Sequence, residues 1–69
     1  MSADNPFPDR ATVARHVENR LHDCADLWIA GKNTFEIARA IGLAGFDEWA
    51  VANSMERIWA IVDGRRKAA

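Results

Sequence analysis

The 69-residue sequence contains a single cysteine, Cys24, so it cannot form an internal disulfide and offers no cysteine-based zinc site. This scarcity of cysteine fits a reducing compartment. The first residues lack the basic segment and apolar run of a signal peptide. No apolar stretch approaches the roughly 18 residues that a membrane span requires. We therefore expect a cytoplasmic protein that does not interact with a membrane.

The sequence also lacks an excess of charge of either sign. Nine basic and ten acidic side chains give a net charge of −1, whereas a dedicated nucleic-acid-binding domain usually has a clear basic excess. Hydrophobic residues make up 49% of the chain and include three tryptophans, which favours folding over disorder. A chain of this length forms one domain and buries a modest core.

Arrangements of residues typical of catalysis are missing as well. No serine is placed near a histidine with a supporting carboxylate, and no glycine-rich phosphate loop is present. His22 and Asp26 share a helix face, but a metal site requires three or four ligands, so a surface pair is the better interpretation. A helical bundle this small also lacks the volume of a substrate pocket. We predict no enzymatic activity, no cofactor and no metal.

Three helices account for the apolar pattern. Pro6 and Pro8 predict a flexible arm over residues 1–8, after which Asp9 caps the first helix. This helix is predicted over about residues 10–30, because its apolar residues recur at steps of three and four, and Gly31 ends it. The stripe consists of Val13, Val17, Leu21, Cys24 and Trp28.

The second helix is predicted over about residues 34–41. Asn33 and Glu36 have the spacing of a capping box, Thr34 is an alternative cap, and Gly42 ends the helix.

Asp47 is the expected cap of the third helix, over about residues 48–62, with Phe46 and Val51 at the spacing of a hydrophobic staple. Gly64 is expected to end this helix before a basic tail at residues 65–69. The predicted core stripe comprises Val51, Met55, Ile58 and Val62, with Trp59 beside it.

The predicted fold is all-α, a three-helix bundle with a helix-turn-helix in a domain spanning residues 9–64. A helix-turn-helix needs a small residue where its helices cross, a glycine in the turn and apolar residues that fix the crossing angle. Ala38, Gly42 and the pair Val51 and Met55 meet these needs in order. We expect the first helix to pack through Val17, Leu21 and Trp28 against Ile37, Ile41, Met55 and Ile58.

The segment from Leu27 to Ile58 resembles bacterial regulator domains, and most closely the GcrA-type cell-cycle regulator DNA-binding domain. The residues that carry this resemblance are Leu27-Trp28-Ile29-Ala30-Gly31, Glu36-Ile37-Ala38, Ile41-Gly42, Ala50-Val51, Met55 and Arg57-Ile58. The resemblance implies a helix-turn-helix fold and a DNA-contacting role for Arg57. The sequence departs from the family in a turn about two residues longer, and in Asp47-Glu48-Trp49 where the family has basic and polar residues.

Nine residues are candidates for DNA contact, and several have a plainer interpretation. Thr34 either helps to hold a phosphate at a helix N-terminus or simply caps the helix. Asn53 either reads adenine or is a solvated side chain. Trp49 either anchors a partner or packs on the turn. The full set is Lys32, Thr34, Arg39, Trp49, Asn53, Arg57, Arg65, Arg66 and Lys67.

The favoured function is a small bacterial or prophage DNA-binding transcriptional regulator that acts on double-stranded DNA. The alternative is a protein–protein interaction module that keeps the fold but has lost DNA binding, with its partner at a face formed by Asp47, Glu48 and Trp49. A weak homodimer is also expected, through the first helix or the C-terminal end of the third near Trp59 and Val62, since helix-turn-helix proteins commonly bind DNA as dimers.

Overall fold

A computed structural model describes residues 9–68, and within this range the chain is entirely helical and contains no strand. The predicted all-α class is therefore confirmed. The five α-helices of this range are α1 (Arg10–Glu18), α2 (Leu21–Ile29), α3 (Thr34–Ala40), α4 (Glu48–Ala52) and α5 (Met55–Ala68), and a 3₁₀ turn, Gly45–Asp47, precedes α4. The arm predicted over residues 1–8 lies outside the described residues.

The single first helix predicted over residues 10–30 is wrong, because the chain breaks between α1 and α2 at Asn19 and Arg20. Arg20 leaves the helical region (φ −130°, ψ 27°), and its amide bonds to the Val17 carbonyl, three residues back. The His16 carbonyl, four residues back, accepts from the Arg20 side chain at 3.4 Å rather than from the Arg20 amide. The break keeps the apolar residues on the core side, so periodicity alone does not detect it.

The third helix is also divided, at Asn53 and Ser54, into the five-residue α4 and the longer α5. The Ser54 amide bonds three residues back to the Val51 carbonyl, as in a 3₁₀ turn. The prediction that Gly64 ends the helix is wrong, since α5 continues to Ala68. Gly64 does not adopt the positive φ that makes a glycine a helix terminator.

The predicted caps at the other helix ends are largely confirmed. The Asp9 carboxylate accepts a hydrogen bond from the Thr12 amide at 2.7 Å, and the Asn33–Glu36 capping box forms with both of its hydrogen bonds. Gly31 (φ 93°) and Gly42 (φ 94°) each follow a helix in the left-handed region. Asp47 differs from its prediction, because it is buried and its side chain does not cap α4.

The core joins all five helices. α2 packs against α5, while α4 packs against both α3 and α1. The buried apolar residues are Val13, Val17, Cys24, Ala25, Ile37, Ala38, Ala50, Val51, Met55, Ile58 and Val62. Leu21, Trp28 and Ile41, which the sequence places in the same core, are only partly buried and pack against it. Between residues 9 and 68, no helix has the length and apolar composition of a membrane span.

Trp59 departs from its predicted core position. Its side chain is 48% exposed, and its ring meets that of Trp28 edge-to-face with centroids 6.2 Å apart. Trp59 lies one position from Ile58, which is fully buried, and therefore sits at the margin of the buried face of α5. Trp28 supports one side of its ring and leaves the rest accessible.

Candidate binding surfaces

The residues of the predicted helix-turn-helix lie where α3 meets α4. Ala38 and Val51 are fully buried, Met55 is nearly so, and Gly42 ends α3 with its φ of 94°. The amides of Gly42 and Leu43 bond back to Arg39 and Ala38, the pairing of a Schellman motif. This arrangement fixes α3 relative to α4 and sets the positions of the candidate contact residues on both helices.

Thr34 and Glu48 contact each other at the start of the two helices. The Thr34 hydroxyl donates to a Glu48 carboxylate oxygen at 2.5 Å, and both side chains are partly buried. This hydrogen bond ties α3 to α4 across 14 residues of sequence. Both groups are therefore engaged within the fold: Asn33 rather than Thr34 caps α3, and Glu48 already accepts from Thr34.

Trp49 is partly covered by the first helix. The guanidinium carbon of Arg10 lies 4.0 Å from the centroid of the Trp49 ring, a cation–π geometry. The two roles predicted for Trp49, anchoring a partner or packing on the turn, do not include this contact with α1. The sequence gives no signal for Arg10, because 39 positions separate the two residues.

Two of the predicted phosphate-binding arginines are paired with carboxylates. Arg57 forms an ion pair with Glu18, and Arg65 forms one with Asp26. Arg65 also donates to the His22 carbonyl at 3.3 Å, so it joins the two members of the predicted His22–Asp26 surface pair. The sequence positions of these two arginines on α5 do not indicate that their carboxylate partners lie on α1 and α2.

The other candidate contact residues are exposed and lie apart from one another along the chain. Lys32 precedes α3, Arg39 lies in its last turn, and Asn53 occupies the break between α4 and α5. Arg66 and Lys67 lie in the last turn of α5, so the basic segment predicted as a tail is helical as far as Ala68. Exposed carboxylates at Glu36, Glu56 and Asp63 accompany them. The surface of α3, α4 and α5 therefore carries both signs of charge.

A polar contact that sequence analysis missed joins α1 to the end of α3. His16 Nε2 lies 2.6 Å from the Ile41 carbonyl oxygen, and Arg20 Nη1 lies 3.1 Å from His16 Nδ1. Because a carbonyl only accepts and a guanidinium only donates, His16 carries its proton on Nε2. The ring supplies a donor to a carbonyl at the C-terminus of α3, where such groups lack helical partners.

No protein-family model, no curated protein and no solved structure matches this chain. The resemblance of residues 27–58 to a GcrA-type domain stays a prediction.

Groups suited to catalysis are few in the part of the chain that the structure describes. Between residues 9 and 68, no three histidine, cysteine, aspartate or glutamate side chains are grouped as metal ligands. Cys24 is fully buried, and this burial, with a smaller effect of Asp23, raises the pKa of its thiol. A protonated, inaccessible thiol is a poor nucleophile. Cys24 therefore acts as a small apolar core residue, as its place on the stripe predicted.

Between residues 9 and 68, four large apolar side chains are substantially exposed. These are Ile29, Phe35, Phe46 and Trp59. Phe35 lies over Gly45, where an added Cβ would come within 2.5 Å of the ring, so glycine allows the 3₁₀ turn to approach α3 closely. Trp59 is held by the ring of Trp28. A tryptophan held in this way on a helix surface is typical of protein-binding sites.

Proposed function

We propose that this chain is a non-catalytic helical module that binds another polypeptide through the exposed face of α5 around Trp59. The observation that carries the proposal is the half-exposed Trp59 ring held edge-to-face by Trp28. Tryptophan is over-represented among residues that dominate binding energy, because it buries a large area at a low entropic cost. Support from Trp28 reduces that cost further.

The charges around α4 support protein binding over base reading. α4 has five residues, about 7.5 Å of helix, and buries Ala50 and Val51. Glu48 is bonded to Thr34, and Arg57 is paired with Glu18. Binding of Arg57 to a phosphate would require separation from its carboxylate, which would be left near the negatively charged DNA. The partner face expected at Asp47, Glu48 and Trp49 is therefore moved, in this proposal, to α5.

DNA binding by a small bacterial or prophage regulator is the second candidate function. The burial of Ala38, Val51 and Met55 at the α3–α4 contact favours it, because a helix-turn-helix places small and apolar residues there. Its affinity would depend on the exposed cations, namely Lys32, Arg39, Arg66 and Lys67. With about 0.9 per phosphate neutralised, four contacts give a slope of log affinity against log salt of roughly −3 to −4. Both functions suit a cytoplasmic protein, which we propose as its location.

Site-specific photo-crosslinking tests the first function. Benzoylphenylalanine is placed at the exposed position of Asp63, one turn from Trp59 on α5, or, as a matched control, at the exposed position of Ala11 on α1, in cells that produce the full chain. We expect an adduct from position 63 with one defined polypeptide, identified by mass spectrometry, and none from position 11. The adduct should disappear when Trp59→Ala is added, since Trp59 is proposed to anchor the partner. Absence of a specific adduct at position 63 would overturn the proposal.

A titration with random duplex DNA at low salt separates the two functions. Under the first function, backbone amide signals of the ¹⁵N-labelled chain should not shift at α3 and α4. Saturable shifts there, with the salt slope given above, would replace the first function with the second. Arg66→Ala and Lys67→Ala should then each reduce the slope by about 0.9, while Asn53→Ala should change sequence preference by roughly 1–3 kcal/mol if Asn53 contacts a base.

A further inference from the structure

The outward side of α5 forms a continuous stripe opposite its buried side. Positions four, three and four residues apart, namely Glu56, Ala60, Asp63 and Lys67, lie along one line of the helix, and all are exposed. Trp59, Gly64 and Arg66 flank this line and are exposed as well. We call these seven residues the outer stripe of α5. The opposite side of the helix buries Met55, Ile58 and Val62.

Charge on the outer stripe changes sign along the helix. Glu56 makes the first turn acidic, Asp63 lies past the middle, and Arg66 and Lys67 make the last turn basic. The other two arginines of α5 do not alter this pattern, because Arg57 is paired with Glu18 and Arg65 with Asp26. A helix that is acidic at one end and basic at the other is complementary to an antiparallel copy of itself.

We propose that the occupant of the outer stripe is a second copy of this chain, with the two α5 helices antiparallel about a twofold axis. In the register that places Glu56 opposite Lys67 of the second copy, Ala60 comes opposite Asp63, and Trp59 lies on the same flank of the interface as Arg66 of the second copy. This inference rests on the proposed function, since it names the partner for the same face.

The size of the stripe sets the strength of the association. α5 has 14 residues, about 21 Å of helix, so two such helices bury less than the roughly 1,200 Å² of a stable standard interface. Each dimer contains two Glu56–Lys67 pairs at its ends and two tryptophans within it. We therefore expect a weak dimer, with a Kd on the order of 100 µM.

Sedimentation equilibrium of the full chain at low salt, up to about 1 mM, tests the inference. The wild type should show a monomer–dimer equilibrium around the 7.7 kDa chain. Ala60→Glu should abolish it, because the added side chain separates the helices and brings a second carboxylate against Asp63 of the second copy, whereas Ala11→Glu on α1 should not change it. Both positions are exposed, so both variants keep the core, which a circular dichroism melt checks.

Charge exchange tests the antiparallel register. Glu56→Lys or Lys67→Glu alone places like charges opposite each other twice per dimer and should raise Kd roughly three- to tenfold. The double variant restores both pairs and should return Kd to within about twofold of the wild type. Additive weakening in the double variant would overturn the register.

A monomer at every concentration would overturn self-association. If the crosslinker at position 63 then joins a different polypeptide, the proposed function stands and only the identity of the partner is wrong. If the crosslinker joins no polypeptide, both the self-association and the proposed binding function are wrong.

Discussion

Replacing His16 with alanine should weaken the attachment of α1 to the end of α3. His16 donates from Nε2 to the Ile41 carbonyl at 2.6 Å, and a hydrogen bond of this kind contributes about 0.5–1.5 kcal/mol net. The Ile41 carbonyl stands at the helix terminus, and Ile41 is only partly buried, so water replaces some of the lost bond. We therefore expect a loss of about 0.5–1.5 kcal/mol in the free energy of unfolding.

Urea unfolding followed by circular dichroism measures this loss, and thermal unfolding gives a second estimate. For a domain of this size, each kcal/mol lowers Tm by about 4–8 °C, so His16→Ala should lower Tm by roughly 2–12 °C. His16→Gln keeps an N–H donor on a side chain of similar reach and should retain part of the stability. Arg15→Ala, at an exposed position next to His16, is the matched control and should change stability by less than about 0.5 kcal/mol. Equal losses from His16→Gln and His16→Ala, or no loss from His16→Ala, would refute the reasoning.

Three further outcomes can be measured by the same methods. Gly42→Ala should destabilise the chain by about 1 kcal/mol, because alanine is strained at φ 94°, whereas Gly64→Ala, inside α5 with open space around it, should stabilise it by about 0.5–1 kcal/mol. Thr34→Val should cost about 1 kcal/mol by removing the donor to Glu48, with no such cost in a Glu48→Ala background, which has no acceptor. Hydrogen bonds from Thr12 lower the pKa of Asp9 below its ordinary 3.8. The ionised Asp9 carboxylate therefore stabilises the fold above pH 3.8, and this stabilisation is lost as pH falls through the lowered pKa. The pH dependence of stability in Asp9→Asn should lack this loss.

The local signals in the sequence predict most of the described helix ends. Each of these signals depends only on residues a few positions away, so the spacing in the sequence is enough to predict the helix end. The confirmed signals are Asp9, the Asn33–Glu36 capping box, Gly31 and Gly42. The apolar periodicity likewise identifies the core, because the apolar residues stay on the buried side across the short breaks between α1 and α2 and between α4 and α5. Glycine at position 64 is the exception, since it stays helical inside α5, and glycine adopts a helical φ about as readily as the left-handed one.

The breaks and the candidate site depended on contacts between distant residues. The turn at Arg20 is accompanied by hydrogen bonds from its side chain to His16, which the apolar pattern does not encode. The pairing of Arg57 with Glu18 likewise joins helices that are far apart in sequence. A basic residue predicted as a DNA contact on one helix cannot reveal whether a carboxylate on another helix neutralises it.

The complete burial of Cys24 makes the native chain a reporter of its own opening. A thiol reagent can reach this sulfur only when the core around α2 opens, and the chain has no other cysteine to compete for the reagent. When closing is fast relative to modification, the labelling rate is the rate for an accessible thiol multiplied by the opening equilibrium constant. Labelling of the unmodified sequence over increasing urea would therefore separate local opening at Cys24, which is insensitive to urea, from global unfolding, which accelerates with it.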